Sequence, residues 1–356
     1  MNNQANPELS NKPLDYPFGE RWSPELGKPF KVAEDVYWLR MSLPIDLDHI
    51  NLWLLKDSDG SWTIVDTGYD AQSCKDVWDT VFSNFCNPID VKQIIITHFH
   101  PDHIGLAAWL AKKLNVPILI SRGEFEHYQK TVNVEVDVFQ KSALRYAMKA
   151  GFTESVSNSL RYFFSSSDKV DKDRVSFDMC DFIQESDTLN INGRDWSVVS
   201  GSGHSPEHSC LYCKELNVLI AGDQAIARIS SNVGVYPTTS SANPLLDWLE
   251  SCANLRDTLP EETLILPAHQ EPFIGIKRRM QALIDDHMAD LARLEQGLSL
   301  RKTAVDARKL IFDRELNKIQ TVLAVGETLA HLYYLRECER IKEEIENGIA
   351  YYQSAD

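Results

Sequence analysis

THFHPDH, residues 97–103, places three of the chain's 10 histidines and an aspartate within seven positions. A single loop histidine is ordinarily solvated or hydrogen-bonded in a core. Imidazoles and carboxylates grouped this closely shift one another's protonation unless a cation holds them together. The flanking sequence says where the group sits. VKQIIIT (91–97) is a short, β-branched apolar run of strand type. IGLAAWLAKKL (104–114) has helical spacing and stops before Asn115 and Pro117, so residues 98–103 form a strand-to-helix loop.

The same arrangement recurs along the chain. WSVVSGSGH runs into His204, NVLIAGD into Asp223, ETLILPAH into His269 and WTIVDTG into Asp66, each polar residue following an apolar strand. Strands that end this way gather their terminal residues along one sheet edge, where loops build a site on a rigid scaffold. Seven nitrogen and oxygen ligands with no cysteine are too many for one tetrahedral zinc, and two ions sharing a carboxylate fit better. His98 and His100 can face one ion, Asp102 and His103 a second, with Asp223 between them.

Composition narrows the function classes. The 356 residues are 43% hydrophobic and 25% charged, enough for one large core, or for one core and a smaller appendage; two units are expected. A net charge of -16 argues against an extended nucleic-acid surface and leaves a small-molecule substrate as the default. The N-terminus lacks a basic stretch followed by an apolar one, and no apolar run reaches the roughly 20 residues that span a bilayer. A soluble cytoplasmic protein with no membrane partner is the expectation. The 7 cysteines show no framework spacing, and Cys210 and Cys213, a lone C-x-x-C in a strand-like stretch, are read as structural.

T-H-x-H-x-D-H followed by a lone histidine, a lone aspartate and a final histidine resembles the metallo-β-lactamase superfamily over roughly residues 30–290. The resemblance implies an α/β fold, an αββα sandwich with metals at one edge of two facing sheets. It implies His98, His100 and His204 as ligands of a first metal and Asp102, His103 and His269 as ligands of a second. Asp223 matches the bridging carboxylate, and Asp66 a residue that orients a metal-bound histidine. Family members that hydrolyse β-lactams generally lack the bridging aspartate, and the diiron flavoproteins tend to carry glutamate where this chain has His100, with a flavin domain that is not seen here. What remains is the branch that resembles glyoxalase II, lactonases, thioesterases and phosphodiesterases. The expectation is therefore a hydrolase of thioesters, lactones or esters with two divalent ions, zinc first, with iron and manganese also suited to His and Asp ligands. A hydroxide held by the ions attacks the carbonyl, since bound zinc lowers the pKa of water to about 7. Asp102 either accepts the proton released or only ligates.

The expected layout is an N-terminal extension (1–30), a catalytic domain (31–297) with a helical insertion (121–180), and a winged-helix-like C-terminal domain (298–356). In the insertion, DVFQKSALRYAMKA and SVSNSLRYFF read as helices. Tyr146, Phe152, Tyr162, Phe163 and Phe164 either form an acyl pocket beside the metals or only pack these helices together. Asn232 and Tyr236 are candidates to reach the substrate, Tyr236 as an oxyanion donor. His49, His127, His208, His287 and His331 are read as structural, with His208 the first exception as a support to a ligand. IKRRMQALIDDHMADLARLEQGL (276–298) reads as a long helix. TAVDARKLIF and GETLAHLYYLREC read as helices, and ERIKEEIENGIAYYQ as a hairpin with a type I′ turn at Asn347-Gly348. A similar appendage occurs on a superfamily branch that includes a lactamase-like endoribonuclease, which makes a phosphodiesterase the alternative. Nine Lys or Arg against ten Asp or Glu in residues 297–356 speak against it. Leu329, Leu332, Tyr333 and Leu335 are expected to pack mainly on the small domain's own helices, leaving apolar surface for the metal domain or for a second subunit of a homodimer.

Overall fold

The structure is a computed structural model that describes residues 12–44, 47–163, 173–239 and 241–355, without the side chains of 159–163. Its first sheet runs in sequence order: β1 (Phe30–Ala33), β2 (Val36–Ser42), β3 (His49–Lys56), β4 (Trp62–Val65), β5 (Val91–Ile95), β6 (Ile118–Ser121) and β7 (Cys180–Ile183). Pairing is antiparallel through β4 and parallel from β4 to β7. Parallel neighbours need crossovers. These are α1 (Gln72–Asn84), then α2 (Pro101–Ile104) with α3 (Ala107–Leu114), then α4 (Arg122–Asn133), α5 (Val136–Ala150) and α6 (Glu154–Phe163). The predicted helix 104–114 is thus two pieces, and it stops where Asn115 turns left-handed at φ 56°.

The second sheet has the order β13-β12-β11-β10-β9-β8, from β8 (Thr188–Ile191), β9 (Arg194–Gly201), β10 (His208–Cys213), β11 (Val218–Gly222), β12 (Leu264–Pro267) and β13 (Phe273–Ile274). α7 (Pro244–Thr258) crosses between the parallel β11 and β12, and α8 (Ile276–Gly297) follows.

Strand alternation explains why so many of these stretches are apolar throughout. In β3, Trp53 and Leu55 face the second sheet, while Ile50, Leu52 and Leu54 face the cluster that holds Trp78 of α1 and Leu110 of α3. In β11, Val218 and Ile220 join the inter-sheet core, while Leu219 and Ala221 face Trp248 of α7 and Met280 of α8. Both faces of both sheets are covered, which is the expected αββα layering.

The C-terminal elements are α9 (Ala304–Ala307), α10 (Lys318–Glu337), β14 (Ile341–Glu346) and β15 (Ile349–Ser354). Asn347 and Gly348 take φ 51° and 82° at the β14–β15 turn, as a type I′ hairpin requires. TAVDARKLIF forms only the short α9 and a 3-10 turn, Arg308–Leu310. GETLAHLYYLREC is the second half of α10, which starts earlier at a capping box of Asn317 and Gln320. Leu329, Leu332 and Leu335 do not close a core of their own. They share one continuous cluster with Leu245, Trp248, Met280 and Ile284 of α7 and α8, with Tyr333 packed at its edge. No helix among the described residues is long and apolar enough to cross a membrane.

Candidate metal centre

The strand ends deliver their polar residues to one edge, and they come from both sheets. Asp66 follows β4 and His98 to His103 follow β5 in the first sheet; His204 follows β9, Asp223 β11 and His269 β12 in the second. Backbone hydrogen bonds cross between the sheets at this edge: Asn51 N–H donates to Ala268 O (2.7 Å) and Ser209 N–H to Thr97 O (2.8 Å).

The seven residues form two groups. His98, His100, His204 and Asp223 present ligand-type atoms to one another, as do Asp102, His103 and His269. Asp223 faces both. Its Oδ2 lies 3.2 Å from His204 Nε2 and 3.7 Å from His98 Nε2, while its Oδ1 lies 3.3 Å from His269 Nε2 and 3.5 Å from His103 Nε2. His269 Nε2 is also 3.4 Å from Asp102 Oδ2. Gly222 makes this placement feasible. It sits at φ 50°, and a Cβ there would meet His208 Nε2 at 2.4 Å.

The outward nitrogens are anchored. His204 Nδ1 donates to Asn232 O (2.8 Å), His269 Nδ1 to His49 O (2.8 Å) and His103 Nδ1 to Asp66 Oδ2 (2.7 Å). Each anchor leaves the Nε2 lone pair turned toward the centre. Asp66 also accepts from Thr97 N–H and Thr97 Oγ1, both at 2.8 Å.

Burial and the neighbouring His204 push His100 down to about 3, so it is a neutral imidazole near pH 7. Burial also disfavours charge on His103, but Asp66, Asp102 and Asp223 outweigh it and hold His103 above the usual histidine range. His103 Nε2 and Asp223 Oδ1 are buried with no hydrogen-bond partner. Orphaned polar atoms of this kind ordinarily carry a penalty of about 1–3 kcal/mol each. Imidazole nitrogens and carboxylates converging in this way are a ligand set suited to divalent cations.

Residues 45–269 match the metallo-beta-lactamase superfamily, and residues 291–355 match the metallo-beta-lactamase-like C-terminal domain. The chain belongs to the metallo-β-lactamase superfamily. A solved beta-lactamase domain protein from Burkholderia ambifaria is 35% identical, covers 98% of this chain and 100% of its own, and superposes with a TM-score of 0.86. The probable metallo-hydrolase YqjP of Bacillus subtilis (strain 168) is 23% identical over 90% of this chain and 98% of its own. The hydroxyacylglutathione hydrolase of Klebsiella pneumoniae is 24% identical over 79% of this chain and 88% of its own.

Beside this superfamily centre lies a cleft of about 550 Å³, with His100 and His204 on its wall together with Phe99, His127, Tyr236, Thr238 and Leu323. Asn232 and Tyr236 line it, yet their polar groups face each other. Tyr236 Oη donates to Asn232 Oδ1, and Asn232 Nδ2 donates to Glu327 Oε2 at 3.3 Å. The one proton of Tyr236 is thus engaged by Asn232 in this structure. Tyr146 is not among the cleft residues; its ring packs with Phe152 against Val322 of α10. That is the packing alternative. The side chains of Tyr162 and Phe163, and all of Phe164, lie outside the described residues.

Glu124 carried no sequence signal of its own, whereas His208, Cys210 and Cys213 were singled out in the sequence. Glu124 at the start of α4 is buried, and its carboxylate accepts from Ser205 Oγ (2.6 Å), Glu207 N–H (2.7 Å) and Phe99 N–H (2.9 Å), joining the His98 and His204 loops. His208 Nε2 accepts from the Asp223 backbone N–H at 3.1 Å. Burial pushes His208 down to about 3, consistent with an acceptor nitrogen. Cys210 and Cys213 are buried free thiols on β10, and Cys210 Sγ lies 3.6 Å from His208 Nδ1.

Proposed function

We propose that this chain is a dinuclear metal-dependent hydrolase of small carbonyl substrates: a thioester, a lactone or an ester. The observation that carries the reading is the carboxylate of Asp223, one oxygen toward each group of imidazoles. His98, His100 and His204 would hold one ion and Asp102, His103 and His269 the other, with Asp223 shared. When bound, two such ions, zinc in the first place and iron or manganese otherwise, supply Lewis acidity that polarises a carbonyl and brings the pKa of a ligated water to about 7.

The chain's own residues do the rest. Phe99 and Leu323 give the cleft an apolar wall that excludes water from a bound acyl group, and Thr238 lies at its rim. Asp102 Oδ2, turned toward His103 and His269, acts as a ligand in this reading. The relatives named as a probable metallo-hydrolase and as a hydroxyacylglutathione hydrolase support hydrolysis as the reaction class.

The test pairs metal analysis with a screen of thioesters, lactones, simple esters, β-lactams and bis(p-nitrophenyl) phosphate. Two ions per chain and turnover of a carbonyl substrate are expected. Saturation at one ion would overturn the dinuclear centre, and hydrolysis of the phosphodiester alone would overturn the substrate class.

A further inference from the structure

The loop that follows β11 is clamped by α10, which belongs to the C-terminal segment. Three contacts make the clamp. Val235 N–H donates to Gly326 O at 3.0 Å. The Tyr236 ring lies against Gly326, where a Cβ would meet it at 2.5 Å, so only glycine allows this approach. Asn232 Nδ2 donates to Glu327 Oε2 at 3.3 Å.

The same loop supplies the centre with two supports. Asn232 O accepts from His204 Nδ1, and Ser231 Oγ donates to the Asp223 carbonyl. We propose that Glu327 is a positioning residue of the metal centre: by holding the Asn232 side chain it fixes the carbonyl that aims His204 at Asp223.

Glu327 is itself held from behind. His331 Nδ1 donates to Glu327 O at 2.8 Å, which leaves His331 Nε2 to accept from His287 Nδ1 at 3.1 Å. Burial lowers both imidazoles, to about 4 for His331 and about 3 for His287, so both are neutral and this polarity of bonds is the consistent one. A continuous chain therefore runs from His287 of α8 through His331 and Glu327 of α10 to Asn232 and His204. These bonds also account for the pairing of His287 with His331.

The inference rests on the metal-centre reading for its consequence, but its geometry can be read without metal. The test uses full-length Glu327→Leu, Glu327→Gln, Asn232→Ala and the Glu327→Leu/Asn232→Ala pair. In metal-free protein, the imidazole ¹⁵N signals of His204 should move in Glu327→Leu and Asn232→Ala and stay near native in Glu327→Gln, which keeps an acceptor. In metal-loaded protein, the chelator concentration that removes half of the metal should fall about tenfold in Glu327→Leu, a typical loss for a residue that orients a ligand. Glu327→Gln should stay within about twofold, and the double variant should be no worse than either single one. Lowered melting temperature with unchanged His204 signals and unchanged chelator resistance would reduce Glu327 to a packing role and overturn the proposal; so would additive losses in the double variant. If the native protein binds no metal while the His204 signals respond as described, the two-metal reading fails and the positioning role stands.

Discussion

Replacing Asp66 by Asn tests whether the second group of ligands depends on one buried carboxylate. Asp66 accepts three hydrogen bonds, from Thr97 N–H, Thr97 Oγ1 and His103 Nδ1, at 2.8, 2.8 and 2.7 Å. Asparagine is nearly the same size but has one acceptor oxygen. Whichever way the amide turns, its NH₂ meets either Thr97 N–H or His103 Nδ1–H. The first outcome leaves a buried backbone donor unpaired. The second moves the His103 proton to Nε2, the atom that faces Asp102, Asp223 and His269. Losing a hydrogen bond to a charged group is worth about 1.5–3 kcal/mol, which is roughly a 10- to 100-fold loss of metal affinity. The loss should fall on the Asp102–His103–His269 position, because His204 is anchored elsewhere, on Asn232 O. Dialysis of native and Asp66→Asn protein against graded chelator, followed by metal analysis, should show two ions retained in the first and one in the second at intermediate chelator. Circular dichroism checks that both are folded. Loss of both ions together, or of neither, would refute the reasoning.

Asp223→Ala removes the carboxylate shared by both groups, so metal content should fall at both positions and turnover drop to background, as metal analysis and a hydrolysis assay would record. Cys210→Ala and Cys213→Ala should keep metal content and most of the turnover, because both thiols are fully buried and burial pushes the Cys210 thiol up, away from thiolate. Leu323→Asp changes a residue that is 42% exposed on the cleft wall, so stability should shift by no more than about 0.5 kcal/mol, while KM for an apolar acyl substrate rises. Burial, with the nearby Asp290, raises Glu327 to about 8 from 4.5; between those values the folded state holds a proton that the unfolded state has lost, so stability falls as pH rises through that window. Glu327→Gln does not titrate, so the native-minus-variant difference in unfolding free energy should decline over the window, and a rise would contradict it.

What could be read from the sequence follows a simple physical rule. A polar residue at the end of an apolar strand announces itself, because the strand's period and the change from apolar to polar occur within a few residues. His98, His204, Asp223, His269 and Asp66 were legible for that reason, and so was the Asn347-Gly348 turn. Groups that act across long separations were not. Glu124 meets Ser205 across 81 positions and Glu327 meets Asn232 across 95, and nothing in the local sequence of either marks its partner. Asn232 and Tyr236 were placed beside the cleft, but the direction of their hydrogen bonds depends on α10 and could not be read. The first half of α10 was missed because in NKIQTVLAV apolar residues lie on both faces: Val322, Ala324 and Val325 are buried, but Ile319 and Leu323 are exposed.

The anchoring pattern ties these two kinds of residue together. Each of His103, His204 and His269 presents one nitrogen to the centre and gives the other to an oxygen from a distant segment: Asp66 at the end of β4, Asn232 in the loop after β11, and His49 at the start of β3. Their aim is therefore as rigid as the segments behind them. β3 and β4 lie inside the first sheet and are held by ladders on both sides. The β11 loop has no such ladder: Arg279 of α8 donates to its Ile226 and Ile229 carbonyls and Glu271 pairs with its Arg228, while the stretch from Asn232 to Tyr236 is held by α10. Of the three anchors, that of His204 alone depends on the C-terminal segment. Truncation after Gly297 should on this account do more than expose Trp248 and Met280, whose shared cluster loses Leu329, Leu332 and Leu335 at about 1.5–3 kcal/mol for each leucine. Among fragments that still fold, metal should be lost first from the position served by His204, and retention of that ion with loss of the other would contradict the assignment.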